Sequence, residues 1–226
     1  MALTVATYNI HRCVGRDGRF DPNRILAVLR ELDADVIALQ ELLWDPTGAL
    51  HLLDHFAAAL KYQPIAGPTL LRCDGHYGNA ILTRLPVQSV NNIDLSVRWC
   101  EARGAIDAVL GEGEEKIRVI ATHLGLWPAE RRRQMRRLLA LLAGTPINPT
   151  ILMGDLNEWF LWGRPLRWLH AYFGYSRAPA TYPTIFPVFA LDRIWIKPAL
   201  PSLPTVVDTP LTRVASDHMP LKAIVK

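Results

Sequence analysis

The residues Gly154-Asp155-Leu156-Asn157 follow the apolar run Thr150-Ile151-Leu152-Met153. A buried strand ending there delivers one acid and one carboxamide to its tip. Side chains two apart on an extended segment point the same way, so Asp155 and Asn157 are expected to face one pocket. Alone, such a pair also suits an ordinary turn. Four further clusters repeat the pattern of an apolar strand closed by polar, ligand-type residues: Thr7-Tyr8-Asn9-Ile10-His11, Leu39-Gln40-Glu41, Ala121-Thr122-His123-Leu124 and Ser216-Asp217-His218. A sixth, Leu191-Asp192-Arg193-Ile194-Trp195, sets an acid inside a strand-like run. Each has a bland reading: a turn Asn, a capping Glu, a core His, a surface Asp. Together they supply donors for a hard cation, a base and a phosphate clamp, at strand ends where open α/β sheets carry their sites.

These groups converge only if several strands end on one edge. Strands are expected over 3–9, 36–40, 79–83, 87–97, 104–110, 116–122, 150–154, 191–196 and 219–225, each short, rich in Val and Ile, and bounded by Gly, Pro, Asn or Asp. Helices are expected over 22–32, with Asp21 as N-cap and Pro22 first, over 50–61 and 129–143, and briefly over 165–172. Residues 76–122 read as an antiparallel meander, with Gly111-Glu112-Gly113 its clearest turn. The expected fold is α/β (α+β): two mixed sheets packed face to face with helices outside.

The 226 residues, half of them hydrophobic and 20% charged, suit one α/β domain spanning 1–226. No apolar run approaches the roughly 20 residues that cross a bilayer. The N-terminus lacks a signal peptide's basic region and cleavage site and reads as an immediate strand. Cys13, Cys73 and Cys100 are odd in number and show no CxxC spacing, which argues for a reducing compartment without disulfides or zinc. The expectation is a cytoplasmic monomer. The net charge of +4 resides in the octet from Glu130 to Arg137, with five Arg and one Glu; the remaining 20 basic and 20 acidic residues cancel. Nucleic-acid binders spread positive charge along a groove, so a nucleic-acid partner is not favoured. Met135, Leu138, Leu139 and Leu142 form the apolar stripe of that helix, opposite Arg132, Arg133, Arg136 and Arg137. Arg131 falls within the stripe. A buried Arg needs a carboxylate or phosphate partner, and the two readings are an ion pair beneath the site or direct substrate contact.

The order and wording of the clusters resemble the endonuclease/exonuclease/phosphatase superfamily, the metal-dependent phosphoesterases related to DNase I, AP endonucleases, sphingomyelinases and inositol polyphosphate 5-phosphatases. The motifs are TYN, LQE, THL, GDLN, LDRIW and a terminal SDHMPL, spread over residues 5–225. The resemblance implies a four-layer DNase I-like sandwich with its site at one edge. It implies Mg²⁺ (or Mn²⁺) held by Glu41 with Asn9 assisting. It further implies Asp155 orienting or deprotonating the attacking water, and Asn157 bonding the nucleophile or a phosphoryl oxygen. His218 is implied as base or transition-state donor, and His123 as a phosphate or leaving-group contact. Asn79 matches a position lining the phosphate pocket. Neighbours on a strand point to opposite faces, so Asp192 rather than Asp217 is the expected partner of His218, and Asp217 is left on the metal side. His11 stands where AP endonucleases carry an acid, which puts a two-metal arrangement and abasic-site repair in doubt and leaves His11 to touch phosphate or tune the bound water.

The expected activity is hydrolysis of a small or lipid-type phosphoester. A Mg²⁺-dependent nuclease is the alternative, and a non-catalytic phosphate-binding module the third. The segment Trp159-Phe160-Leu161-Trp162 reads as core packing or a lid; if exposed, it could grip an apolar substrate portion or stack on bases.

Overall fold

The central strands are apolar on both faces, and that is why the chain builds four layers. The computed structural model describes residues 2–44, 51–72, 75–144, 147–198 and 203–225. In chain order these form β1 (Leu3–Asn9), a 3-10 turn (His11–Cys13), α1 (Pro22–Leu32), β2 (Val36–Trp44), α2 (Leu52–Leu60), β3 (Gln63–Arg72), β4 (Gly75–Thr83) and β5 (Val87–Asp94). There follow β6 (Gly104–Leu110), β7 (Ile117–His123), α3 (Pro128–Leu142), β8 (Thr150–Asp155), α4 (Arg164–Phe173), β9 (Asp192–Lys197), β10 (Thr205–Val206), α5 (Thr212–Ala215) and β11 (Leu221–Val225). One sheet has the order β10-β11-β1-β2-β4-β3, and the other β5-β6-β7-β8-β9.

Alternation along each strand sorts side chains into three cores. Val5, Val36, Ala38, Val119, Ala121, Ile151, Met153 and Ile194 meet between the sheets. Ala6, Tyr8, Ile37 and Leu39 point the other way, onto Ile25 and Leu29 of α1 and Phe56 of α2. Ile120, Leu152 and Trp195 pack on Met135 and Leu138 of α3 and Leu166 and Leu169 of α4. The result is a four-layer α/β sandwich. Parallel pairing of β1 with β2, and of β7 with β8, brings the ends of these four strands to one edge. No helix among the described residues is long and apolar enough to cross a membrane.

The Asp21 side chain caps α1 by accepting the Arg24 amide at 3.1 Å, as its position before Pro22 predicts. The expected helix start at Leu50 lies outside the described residues, and α2 is seen from Leu52. Cys13 and Cys100 are free thiols, while Cys73 lies outside the described residues.

Two expectations need correction. The 76–122 stretch is not one meander: β4 pairs with β2 and β3, whereas β5 pairs with β6 in the other sheet. The chain changes sheet across the short Arg84-Leu85-Pro86 link. β3 was not expected at all, because Pro64, Gly67 and Pro68 discourage a strand. It forms at the sheet edge, where β4 is its sole partner and a missing N–H is tolerated.

Candidate active site

The period-two rule that builds the inter-sheet core also builds the site. Val5, Val119, Met153 and Ile194 face the opposite sheet, so Asn9, His123, Asp155 and Asp192 face the same way at their strands' ends. Register then aligns three of them across the sheet, His123 opposite Asp155 and Asp155 opposite Asp192. Glu41 joins them through an irregularity. Between the pairs Leu39–Ala80 and Leu42–Gly78, β2 carries one extra residue, and Glu41 takes a left-handed φ of 59°. A bulge of this kind re-aims a side chain, and here it turns Glu41 into the cleft at the sheet edge. Gly154 has φ 145°, and a Cβ there would lie 1.8 Å from the Thr122 carbonyl oxygen, so only glycine allows β8 this close to β7.

The cleft holds about 580 Å³ and is walled by Glu41, Asp155, Asn157, Asp217, His123 and His218. Its centre is the Asp155 carboxylate, 1% exposed. Asp155 Oδ2 accepts a hydrogen bond from Asn9 Nδ2 at 3.1 Å and lies 3.5 Å from His123 Nε2 and 3.7 Å from His218 Nε2. Its other oxygen accepts the backbone N–H of Asn157 at 2.8 Å. Asn9 Nδ2 also reaches Glu41 Oε1 at 3.2 Å, while Asn9 Oδ1 accepts the His11 amide at 3.0 Å. Asn9 therefore turns its amide nitrogen, not its oxygen, toward the two carboxylates and holds them apart.

The loop before β11 brings in His218. Ser216 Oγ donates to the Asn9 carbonyl at 2.7 Å and accepts the His218 amide at 3.2 Å, pinning this loop to β1. His218 Nδ1 meets Asp192 Oδ2 at 2.8 Å, and the same oxygen accepts the Thr181 hydroxyl at 2.6 Å. Burial opposes charge on His218, but Asp192, Asp155, the hydrogen bond to Asp192 and Asp217 outweigh it and raise its pKa to about 10. The Tyr182 ring lies against the imidazole at 4.8 Å between centroids.

His123 is held in the opposite state. Burial, then the Arg103 guanidinium, lower its pKa to about 3 despite Asp155. Arg103 Nη1 lies 3.1 Å from His123 Nδ1, and Asn157 Nδ2 lies 3.0 Å from Nε2; a donor on each side of the ring agrees with a neutral imidazole. The Asn157 amide also donates to the Leu124 carbonyl at 2.9 Å.

Asn79, Arg131 and His11 are not among the residues that wall the cleft. Asn79 is buried behind the cleft, where Nδ2 donates to the Gly104 carbonyl at 3.0 Å and ties β4 to β6. Arg131 is 1% exposed, and its Nε donates to Glu158 Oε2 at 3.2 Å with its other nitrogens on Glu158, Gly125 and Leu126. It is the structural ion pair, not a cleft residue. His11 sits at the rim, its Nδ1 3.1 Å from the Val14 carbonyl and 3.7 Å from Asp217 Oδ1.

Arg103 and Tyr77 line the cleft without having been singled out in the sequence. Arg103 is nearly buried and bonds Glu101 Oε2 at 3.1 Å; its Nε has no partner among the described residues. Burial, with Glu41 nearby, raises the Tyr77 pKa and keeps its hydroxyl protonated. The only signal in the sequence was an Arg directly before the strand expected from residue 104.

Asp155, Asp192 and His218 each offer a ligand atom within 4.8 Å of the others. They are a hydrogen-bonded acid–imidazole–acid group, and an imidazolium at its centre disfavours a cation there. The harder donors lie beside it. Glu41 and Asp217 both wall the cleft, with Glu41 Oε1 3.2 Å from Asn9 Nδ2 and the Asp217 carboxylate about one-third exposed. Carboxylate oxygens of this kind fit Mg²⁺.

Known proteins share this chain's sequence pattern and fold. A sequence model of the Endonuclease/Exonuclease/phosphatase family matches residues 6–218. The chain is 32% identical over 241 residues to the protein YbhP of Escherichia coli strain K12, covering 98% of this chain and 95% of that one. A mannosyl-6-phosphatase from Bacteroides thetaiotaomicron VPI-5482 has a similar fold, with TM-score 0.73, 18% identity and coverage of 99% and 100%. D. rerio TDP2, in a complex with single-strand DNA product, is similar with TM-score 0.72, 18% identity and coverage of 99% and 98%.

Proposed function

Because the chain belongs to the endonuclease/exonuclease/phosphatase family, we propose that it is a Mg²⁺- or Mn²⁺-dependent phosphoric ester hydrolase, acting on a small or lipid-type phosphoester by in-line attack of water. One observation carries the reading. The buried Asp155 Oδ2 stands within 3.7 Å of a raised-pKa imidazole, His218 Nε2, and within 3.5 Å of a neutral one, His123 Nε2. Two titratable groups pushed in opposite directions within one cleft are what acid–base chemistry at a phosphate requires.

Phosphate esters are anionic and repel a nucleophile, so the site must neutralise the equatorial oxygens and aim the attack. Glu41 and Asp217 would hold the ion, and a bound Mg²⁺ supplies Lewis-acid polarisation of the phosphoryl group. Asn9 positions the Glu41 and Asp155 carboxylates. Asp155 orients a water and accepts its proton as the water oxygen bonds to phosphorus; the ester P–O bond in line with it breaks, and the leaving oxygen takes a proton from solvent. His218, held as imidazolium by Asp192, donates to the phosphoryl oxygen that gains charge. Arg103 offers donors to the remaining oxygens, with His123 and Asn157 beside it on the cleft wall. His11 bears on this cleft through its contact with Asp217 and through its amide, which Asn9 Oδ1 accepts. On the odd number and spacing of its cysteines, we place the protein in the cytoplasm, as a monomer.

A panel of bis-p-nitrophenyl phosphate, lysophospholipids, inositol phosphates, plasmid DNA and abasic duplex, assayed with Mg²⁺ or Mn²⁺, tests the reading. Hydrolysis of the small or lipid esters is expected. Selective cleavage of abasic DNA would make the protein a repair nuclease instead.

A further inference from the structure

We propose that the apolar rim of the cleft, together with the arginine-lined groove beside it, is a docking surface for an anionic phospholipid bilayer. The proposal deepens the phosphoester reading above and rests on it for what the docked surface delivers. The sequence places four large apolar residues in a row at Trp159-Phe160-Leu161-Trp162, a composition that belongs in a core. They are instead the tip of the loop from β8 to α4, with Leu161 66% and Trp162 72% exposed. The loop is not loose. Glu158 at its base is clamped by Arg131 and accepts the Phe160 amide at 3.3 Å.

Two neighbouring loops carry the same chemistry. Trp159 packs edge-on against Tyr182 and Phe189, at 5.8 and 4.8 Å, and the turn between those two residues exposes Ile185 and Phe186, the latter by 74%. On the other side, Arg131 Nη1 holds the Leu126 carbonyl, and Leu126 and Trp127 stand exposed at the start of α3. Leu126 and Trp159 also wall the catalytic cleft, so the apolar tips lie at its mouth. Isolated exposed apolar residues are ordinary, but three adjoining loops tipped with them form an interaction surface.

Charge selects the partner. Behind Phe160 and Trp162 lies a groove of about 430 Å³ lined by Arg132, Arg164 and Arg167. None of these three side chains has a carboxylate partner among the described residues. Aromatic and aliphatic tips flanked by unpaired guanidinium groups match the boundary between hydrocarbon and anionic headgroups. Nucleic acid fits less well. Leu126, Leu161 and Ile185 have no π-face to stack on bases, and the basic groove shares no lining residue with the catalytic cleft.

Co-sedimentation of the full chain with vesicles of phosphatidylcholine alone, or mixed with phosphatidylglycerol, tests the surface. The wild type should bind the mixed vesicles, with a blue shift of tryptophan fluorescence and weakening by salt. A Trp162→Ser, Phe186→Ser pair should lower the partition coefficient about tenfold or more. An Arg164→Gln, Arg167→Gln pair should lower it about tenfold, on the mixed vesicles only. Both pairs should hydrolyse bis-p-nitrophenyl phosphate in lipid-free buffer as the wild type does. Vesicle binding by a wild type that hydrolyses no ester supports the docking surface while removing the phosphoester reading. A wild type that hydrolyses the soluble ester but ignores both vesicles overturns the docking surface. So does capture of a single-stranded oligonucleotide, and not of vesicles, through these four side chains.

Discussion

His218 Nδ1 stands 2.8 Å from Asp192 Oδ2, an imidazole–carboxylate contact buried on both sides. The geometry fixes which ring nitrogen faces the cleft: Nδ1 is taken by Asp192, leaving Nε2 toward Asp155. The folded-state pKa of about 10 exceeds the ordinary 6.5. A raised value means that this group's contribution to stability is complete below pH 6.5 and is lost as pH rises through about 10. In EDTA-treated protein, NMR should find the His218 imidazolium persisting well above its ordinary range. Asp192→Asn should move its titration downward. A wild-type His218 that titrates like an exposed histidine contradicts the pairing.

The same pair makes a kinetic prediction. Asp192→Asn keeps the shape of the hydrogen-bond partner but removes the charge that holds the imidazolium. Turnover should fall about 10²- to 10⁴-fold with KM little changed. A variant that loses only substrate affinity would place Asp192 outside the acid–base step.

Arg131 and Glu158 predict the reverse division between folding and chemistry. Each is nearly fully buried, and removing one leaves the other as an uncompensated charge. Arg131→Met should cost about 3–5 kcal/mol of stability in urea unfolding. Turnover per folded molecule should survive. Loss of turnover at wild-type stability would return Arg131 to the substrate.

Arg103 is the buried cation of the cleft wall and joins His123 to Glu101. Arg103→Met should raise KM for a phosphoester about ten- to a hundredfold, the worth of a hydrogen bond to a charged group. Removing the guanidinium should also raise the His123 pKa, since Arg103 is the second cause of its depression. An unchanged KM would leave Arg103 a structural residue only.

What was legible in the sequence follows from local rules. Period two on β1, β7, β8 and β9 was enough to bring Asn9, His123, Asp155 and Asp192 to one side, because these strands are regular to their ends. Glu41 shows the limit. In a regular strand Gln40 and Glu41 would face opposite ways, and the bulge that turns Glu41 into the cleft depends on its pairing with β4, which no local pattern reveals. Asn79 lies outside the cleft lining for a related reason: it sits on β4 opposite that bulge, and its Nδ2 donates to the Gly104 carbonyl of the other sheet. Arg103 carried no strand-end cluster of its own and enters the cleft only because β6 lies beside β7. The Trp159–Trp162 run shows that hydrophobicity alone does not determine burial, since the Arg131–Glu158 clamp holds its base down while its tip faces outward.

The most direct measurement is hydrolysis of bis-p-nitrophenyl phosphate by protein stripped with EDTA and then reloaded with Mg²⁺ or Mn²⁺, for the wild type beside Asp155→Asn. The stripped wild type should be inactive and regain turnover with the ion. Asp155→Asn should stay about 10²- to 10⁴-fold below it with the ion restored. Activity that survives both EDTA and the substitution would contradict a metal-dependent phosphoesterase built around Asp155.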